Sequence, residues 1–249
     1  MFLRNIFLLL SILTCSFAKS QSYNRSYEEF GIMAGPVFFQ GDFGERRDLD
    51  NTIQNVGFSG SFVYYLSLNS NRSVFAENFK VRFDLSALAV DLQHYGPSAE
   101  SDSDFGRKLR AMRGSVKIGS IGAQLEYFPW KVDDWSRTLI SPYIGAGIQL
   151  NSYSAKAYSF LGPIGVPSTV PTKYVEGFKN TSGVAFSASI SGGLRYKLND
   201  YNAIIFESRL HYYFSDWIEG MNPDRNTYKE NKNNDFALVM NIGYVYYFN

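Results

Sequence analysis

Beyond its first 20 residues this chain has no cysteine: the only one is Cys15. Disulfides and thiolate chemistry are therefore excluded from the remainder. After the first 20 residues no apolar run approaches the ~20 residues that a membrane-crossing helix needs. An excess of charge of one sign is also missing. The 24 Lys and Arg face 23 Asp and Glu, a net charge of +1, which gives no reason to expect nucleic acid or a polybasic membrane contact. Only two histidines occur, His94 and His211, and they belong to no cluster with metal-ligand spacing. There is no phosphate-binding loop, and Gly145-Ala-Gly147 sits in an extended stretch with no helix after it. No cofactor is expected. No stretch shows a convincing helical stripe, internal repeat, low-complexity tract or linker. Aromatic residues, by contrast, make up 17% of the chain, and there are 21 glycines.

Residues 1–20 read as a Sec-type signal peptide. Arg4 supplies the positive flank, Ile6 to Leu13 the apolar core, and Ala18-Lys19-Ser20 a small-x-small cleavage site. Thr14 stands where a lipoprotein would carry a small residue before Cys15, which disfavours lipid attachment there. Residues 21–249 then form a single domain.

Asp235 to Asn249 organises that domain. Phe236, Leu238, Met240, Ile242, Tyr244, Tyr246 and Phe248 alternate with smaller or mixed residues, and the chain then ends. Strict alternation over this length is a strand signal and suffices to cross a bilayer at a tilt. As an open edge it would invite aggregation, whereas as a closing strand it leaves no edge. Seven further segments alternate: 29–40, 55–66, 79–91, 115–128, 142–153, 182–198 and 203–214. The first is apolar on both faces, so its orientation stays open. The fold class expected is all-β, a closed antiparallel up-and-down transmembrane β-barrel of about 8 strands.

Alternation alone does not say which face meets solvent. The apolar faces carry no charge in segments two, three, six, seven and eight, and Tyr and Phe gather near their ends. The links between segments alternate in length: 12, 13 and 4 residues against 14, 23, 28 and 20. Short turns on one side and long loops on the other mark an outer-membrane barrel with both termini periplasmic. Trp130 and Trp135 suit its inner interfacial belt. The lumen should then hold an ion-pair network of Arg82, Asp84, Lys117, Glu126, Arg195, Lys197, Glu207 and Arg209, joined by His211. Mutual neutralisation is the leading reading, because a buried charge without a partner is costly. A solute-binding lumen is the alternative.

The stretches Ala34-Gly-Pro-Val-Phe-Phe-Gln-Gly-Asp-Phe-Gly-Glu-Arg-Arg-Asp48, Leu109-Arg-Ala-Met-Arg113 and Gln124-Leu-Glu-Tyr-Phe-Pro129 resemble a family of small outer-membrane barrels of flavobacteria and relatives (Bacteroidota). More broadly the chain is similar to the OmpA-type barrel, without residues after the last strand for a periplasmic domain. The resemblance implies fold and location. It brings no catalytic residues.

An enzymatic rim would need a His beside a Ser or carboxylate. Asp91, Ser98 and Asp216 lie near the histidines in sequence, but no nucleophile motif is present. The plainer expectation is that His211 joins Glu207 and Arg209 while His94 caps a strand. Asp42, Asp48 and Asp50 lack calcium-loop spacing and read as solvated charge. The long loop from Phe160 to Pro171 is free of charge. Its Phe160, Leu161, Ile164, Val166 and Val170 either fold over the barrel mouth or meet a partner. The expected function is a non-enzymatic outer-membrane barrel, structural or an accessory subunit of an envelope assembly. Its partners would be outer-membrane lipid and other outer-membrane or periplasmic proteins. The alternative is a small barrel that binds or modifies a lipid or solute at its rim.

Overall fold

The computed structural model describes residues 28–44, 49–67, 78–130, 139–224, 226–228 and 234–248. The expected signal peptide with Cys15, Trp135, and the side chains of Asp48 and Asp50 lie outside the described residues. Eight strands are present: β1 (Glu28–Gln40), β2 (Val56–Ser67), β3 (Phe79–Gln93), β4 (Met112–Tyr127), β5 (Ile140–Ser159), β6 (Thr181–Asn199), β7 (Asn202–Tyr213) and β8 (Phe236–Phe248). Each pairs with the next, and β8 returns to β1 to close the barrel. The closing pairs run antiparallel from Glu28↔Phe248 to Gln40↔Phe236. Every expected segment is a strand. Two run well past their alternation: β4 starts at Met112 and β5 continues to Ser159.

Eight strands place Glu28 and Phe248 at the same end, here the terminal end. The other end carries the connections 41–55, 94–111, 160–180 and 214–235. Against the expectation of no helix, three short α-helices lie in these loops among the described residues: α1 (Leu49–Gln54), α2 (Pro97–Glu100) and α3 (Asp104–Ala111). Local chemistry explains α3. The Ser103 hydroxyl accepts the Gly106 N–H at 3.0 Å, and Asp104 pairs with Arg107 and Lys108 at 2.6 Å each. Those hydrogen bonds, from Lys108 first and then Arg107, hold the Asp104 carboxyl below its ordinary pKa. Two turns burying Leu109 and Ala111 are too short to leave a readable stripe.

The two faces of the sheet decide the environment. Outward positions are large and apolar, and Ile144 and Ile148 are 65% and 66% exposed. Inward positions include Lys80, Arg82, Asp84, Glu126, Arg195, Glu207 and Arg209, all buried. A water-soluble barrel has the opposite arrangement, so this barrel spans a membrane. No described helix is long and apolar enough to cross one; the strands do so. β1 shows why its orientation could not be read. Gly31, Met33, Gly35, Val37 and Phe39 point inward and Phe30 and Ile32 outward, so both faces are apolar. At Gly35 the β8 backbone comes close: an added Cβ would lie 1.8 Å from the Met240 carbonyl oxygen.

Candidate functional site

The lumen is filled by two ionic tiers. Near the terminal end, Glu29 accepts hydrogen bonds from both Lys80 and Arg195. The Arg195 guanidinium also faces the rings of Tyr65 at 4.5 Å and Phe128 at 5.2 Å. In the second tier Arg82 is the hub, 2.7 Å from Glu126, 2.6 Å from Glu207 and 3.2 Å from Asp84. Arg209 closes this tier onto Asp84 at 3.2 Å and Glu207 at 2.8 Å. Tyr143 donates to Glu207 at 2.8 Å, and Gln124 donates to Glu126 at 3.1 Å and Ser191 at 2.7 Å. Four cations (Lys80, Arg82, Arg195, Arg209) meet four carboxylates (Glu29, Asp84, Glu126, Glu207), and the core is neutral. That balance is what buried charge requires, since an ion without its counter-ion is strongly destabilising.

Alternation aims these residues. Arg82 and Asp84 are neighbours two apart on β3, and Glu207 and Arg209 are the same on β7. Each pair therefore shares the inward face. Beyond the ions Asn151 donates to Ser187 at 2.9 Å and accepts from Ser120 at 2.7 Å. Beyond these comes an apolar plug that includes Val37, Phe39, Leu92, Val116, Ile118 and Tyr213.

The loops then tie to one another around the mouth. Loop one reaches loop two through the Gly44 N–H, which donates to His94 Nδ1 at 2.8 Å. Gly44 has φ 79°, which favours glycine, and a Cβ there would strike the Asn51 side chain. Loop two meets loop three where the Phe160 N–H donates to the Ala111 carbonyl at 3.0 Å. Loop three joins loop four by Lys179 to Gly220 at 3.0 Å and Asn222 to Gly177 at 2.7 Å. Loop four returns to loop one where the Asp42 N–H donates to Glu219. Under this ring Phe43, Leu109, Met112, Val170, Phe178, Ile218 and Met221 are buried together.

His94 stacks between the rings of Phe43, 5.0 Å away, and Tyr174, 5.6 Å away. Burial first, then the cations of Lys173 and Arg113, push its pKa down to about 3. It is neutral and accepts through Nδ1, so it joins two loops rather than serving as a base. Among the described residues neither His94 nor His211 hydrogen-bonds a serine or carboxylate. Asp91 and Ser98 are exposed and Asp216 is buried, and among the described residues none of the three hydrogen-bonds either histidine.

Of the expected network, Arg82, Asp84, Glu126, Arg195, Glu207 and Arg209 are brought together as described. Lys117 is not among them. It points outward and is exposed, a correction that alternation explains: on β4 Ser120, Gln124 and Glu126 face in, so odd positions face out. Lys197 lies at the terminal rim, 3.2 Å from Asp200. His211 is buried but stacks on Tyr213 at 6.1 Å and makes no hydrogen bond to Glu207 or Arg209, which corrects its expected place. Glu29, Lys80, Tyr65 and Tyr143 were missed. Lys80 shares parity with Arg82 and Asp84, a signal that was available; Glu29 lies in the segment whose faces could not be told apart. In the long third loop Val170 is fully buried and Ile164 packs beneath it. Phe160, Leu161 and Val166 stay 70%, 38% and 38% exposed. The loop is thus part cover and part open surface. Trp130, 57% exposed, sits at the terminal end.

The family described as domain of unknown function (DUF6089) matches residues 4–248. No curated protein matches the chain. Among solved structures, a major outer membrane protein of Thermus thermophilus aligns at 12% identity and TM-score 0.49, covering 89% of this chain and 99% of that one. Neisserial surface protein A aligns at 15% identity and TM-score 0.47, covering 89% and 97%. The attachment invasion locus protein Ail of Yersinia pestis aligns at 13% identity and TM-score 0.45, covering 90% and 99%. At such identities nothing these proteins bind carries over to this chain.

Proposed function

We infer function from one premise: this chain belongs to the DUF6089 family, whose description assigns no activity. We propose that it is a non-enzymatic outer-membrane barrel, its termini in the periplasm and its loop ring outside the cell. There it acts as a structural or accessory subunit of an envelope assembly. The observation that carries this reading is the charge-balanced, ion-paired lumen beneath a closed ring of loops. An interior of eight strands is just wide enough for side chains to fill it, and here the side chains are locked to one another. A solute would have to break ion pairs to enter. What remains accessible is the loop surface, where Phe160, Leu161 and Val166 of the third loop are exposed and suit a protein contact.

Two measurements test this. In planar bilayers the purified barrel should show no stable open channel; a steady porin-like conductance would refute the filled lumen. Gentle detergent extraction should bring down a stoichiometric envelope protein, and exchange of residues 160–166 for a Gly/Ser linker should release it. A barrel that co-purifies with no protein, or whose partner ignores the exchange, would refute the accessory role.

A further inference from the structure

Outward charge on the strands is confined to a few places. Glu28 lies at the terminal end of β1, hydrogen-bonded to Tyr64. The others gather on β3–β5 toward the loop end: Asp91, Arg113, Lys117 and Lys156. Strand register makes them one patch. Ser115 pairs with Asp91 on one side and Lys156 on the other, and Arg113 and Lys117 flank Ser115 on the same face. Three cations and one carboxylate thus share one face, with the Arg113 guanidinium turned to the Arg110 and Met112 carbonyls and over the Phe160 ring. Among the described residues Lys117, Lys156 and Asp91 make no ion pair with one another, although all three are exposed.

The height of the patch selects its ligand. From Tyr127 at the terminal end of β4 to Lys117 there are ten residue steps. At ~3.4 Å per residue and a tilt of about 40°, this is roughly 26 Å along the barrel axis. The apolar band of a membrane barrel is ~25 Å tall. Lys117 therefore stands at the far edge of the hydrocarbon, at headgroup level; Lys156, opposite Ser115, stands about 5 Å higher and Arg113 about 10 Å higher. An ammonium there is tolerated and meets lipid phosphate, while at the midplane it would be strongly disfavoured.

Just below the cations the wall is recessed. Gly60, Ala87, Gly119 and Ser152 pair in sequence across β2–β5. They line a shallow depression of about 680 Å³ that also touches Phe58 and Lys117. Small residues alone would select nothing; the cations at the edge of the recess supply the choice.

The geometry points to a binding site on the outer wall of β2–β5 for an anionic, phosphate-bearing lipid of the outward-facing leaflet. Its phosphate meets Lys117 and Lys156, and an acyl chain lies along Gly119. The site needs only a membrane at this height, so it stands or falls independently of any protein partner of the loops.

Native mass spectrometry of the full-length barrel released from detergent tests it, with phosphatidic acid and phosphatidylcholine of identical acyl chains as probes. The wild type should retain phosphatidic acid in clear preference. Lys117→Gln or Lys156→Gln should each lower that preference about fivefold, and the pair about 30-fold; Lys117→Arg should keep it. Gly119→Trp should weaken retention of both lipids, because an added Cβ at Gly119 meets nothing within 4 Å and the ring beyond it fills the recess. Equal retention of the two lipids by the wild type, or an unchanged preference in the double variant, would overturn the site. So would full displacement of phosphatidic acid by millimolar inorganic phosphate, which would mark a site for free anions.

Discussion

Arg82→Met removes the hub of the inner tier. Arg82 is fully buried and pairs with Glu126, Glu207 and Asp84. Its loss turns a balance of four cations and four carboxylates into a net charge of −1. Arg209 still pairs with both Asp84 and Glu207. Glu126 loses its ion pair among the described residues and keeps a single hydrogen bond from Gln124. Breaking a buried pair from one side costs about 3–5 kcal/mol, so the variant should unfold at markedly lower urea. Adding Glu126→Gln removes the stranded charge. The double variant should recover at least ~1–2 kcal/mol, within the usual range of coupling between contacting residues. Equilibrium urea unfolding in lipid vesicles, followed by tryptophan fluorescence, measures all three proteins. If Arg82→Met lies within ~1 kcal/mol of the wild type, or the double variant is no more stable than the single, the lumen is not held by charge balance.

Other expectations follow from single contacts. Gly35→Ala should prevent closure of β1 on β8, because its Cβ would lie 1.8 Å from the Met240 carbonyl oxygen; the folded fraction after refolding should collapse, while Gly119→Ala refolds normally. His94 has a folded pKa of about 3 against an ordinary 6.5. The unfolded loop therefore binds the proton more readily, and stability falls as pH drops from about 6.5 toward 3 and is flat above it. A lower protection factor at the Gly44 amide below pH 6, after correction for the intrinsic exchange rate, would report this, and His94→Gln should abolish the pH dependence. Ser103→Ala removes the cap of α3 and should cost about 1 kcal/mol locally, seen as faster exchange at the Gly106 amide.

Most of the barrel was legible because two-residue alternation and membrane burial reinforce one another. β8 and β6 state both faces openly. β1 does not, since its inward positions are glycines and apolar side chains that fill the plug rather than ions, and that hid Glu29. Lys117 was placed in the lumen by its charge, although the outward Ile121 and Leu125 on the same strand give it the lipid face. Polarity misled there because Lys117 stands at the edge of the hydrocarbon, where a charge no longer has to point inward. The loop ring could not be read at all: Asp42 meets Glu219 across 177 positions, and no local pattern encodes such a pairing.

Which face of the sheet meets hydrocarbon can be measured directly by spin labels on single cysteines introduced along β4 from residue 118 to 126, with Cys15 replaced by Ser, in reconstituted vesicles. Labels at Ile121, Ala123 and Leu125 should be relaxed by oxygen dissolved in lipid and shielded from a water-soluble nickel chelate. Labels at Ser120 and Gln124 should be reached poorly by both. Nickel access at the odd positions and none at the even ones, or no two-residue period, would contradict a barrel that turns its apolar face to the membrane.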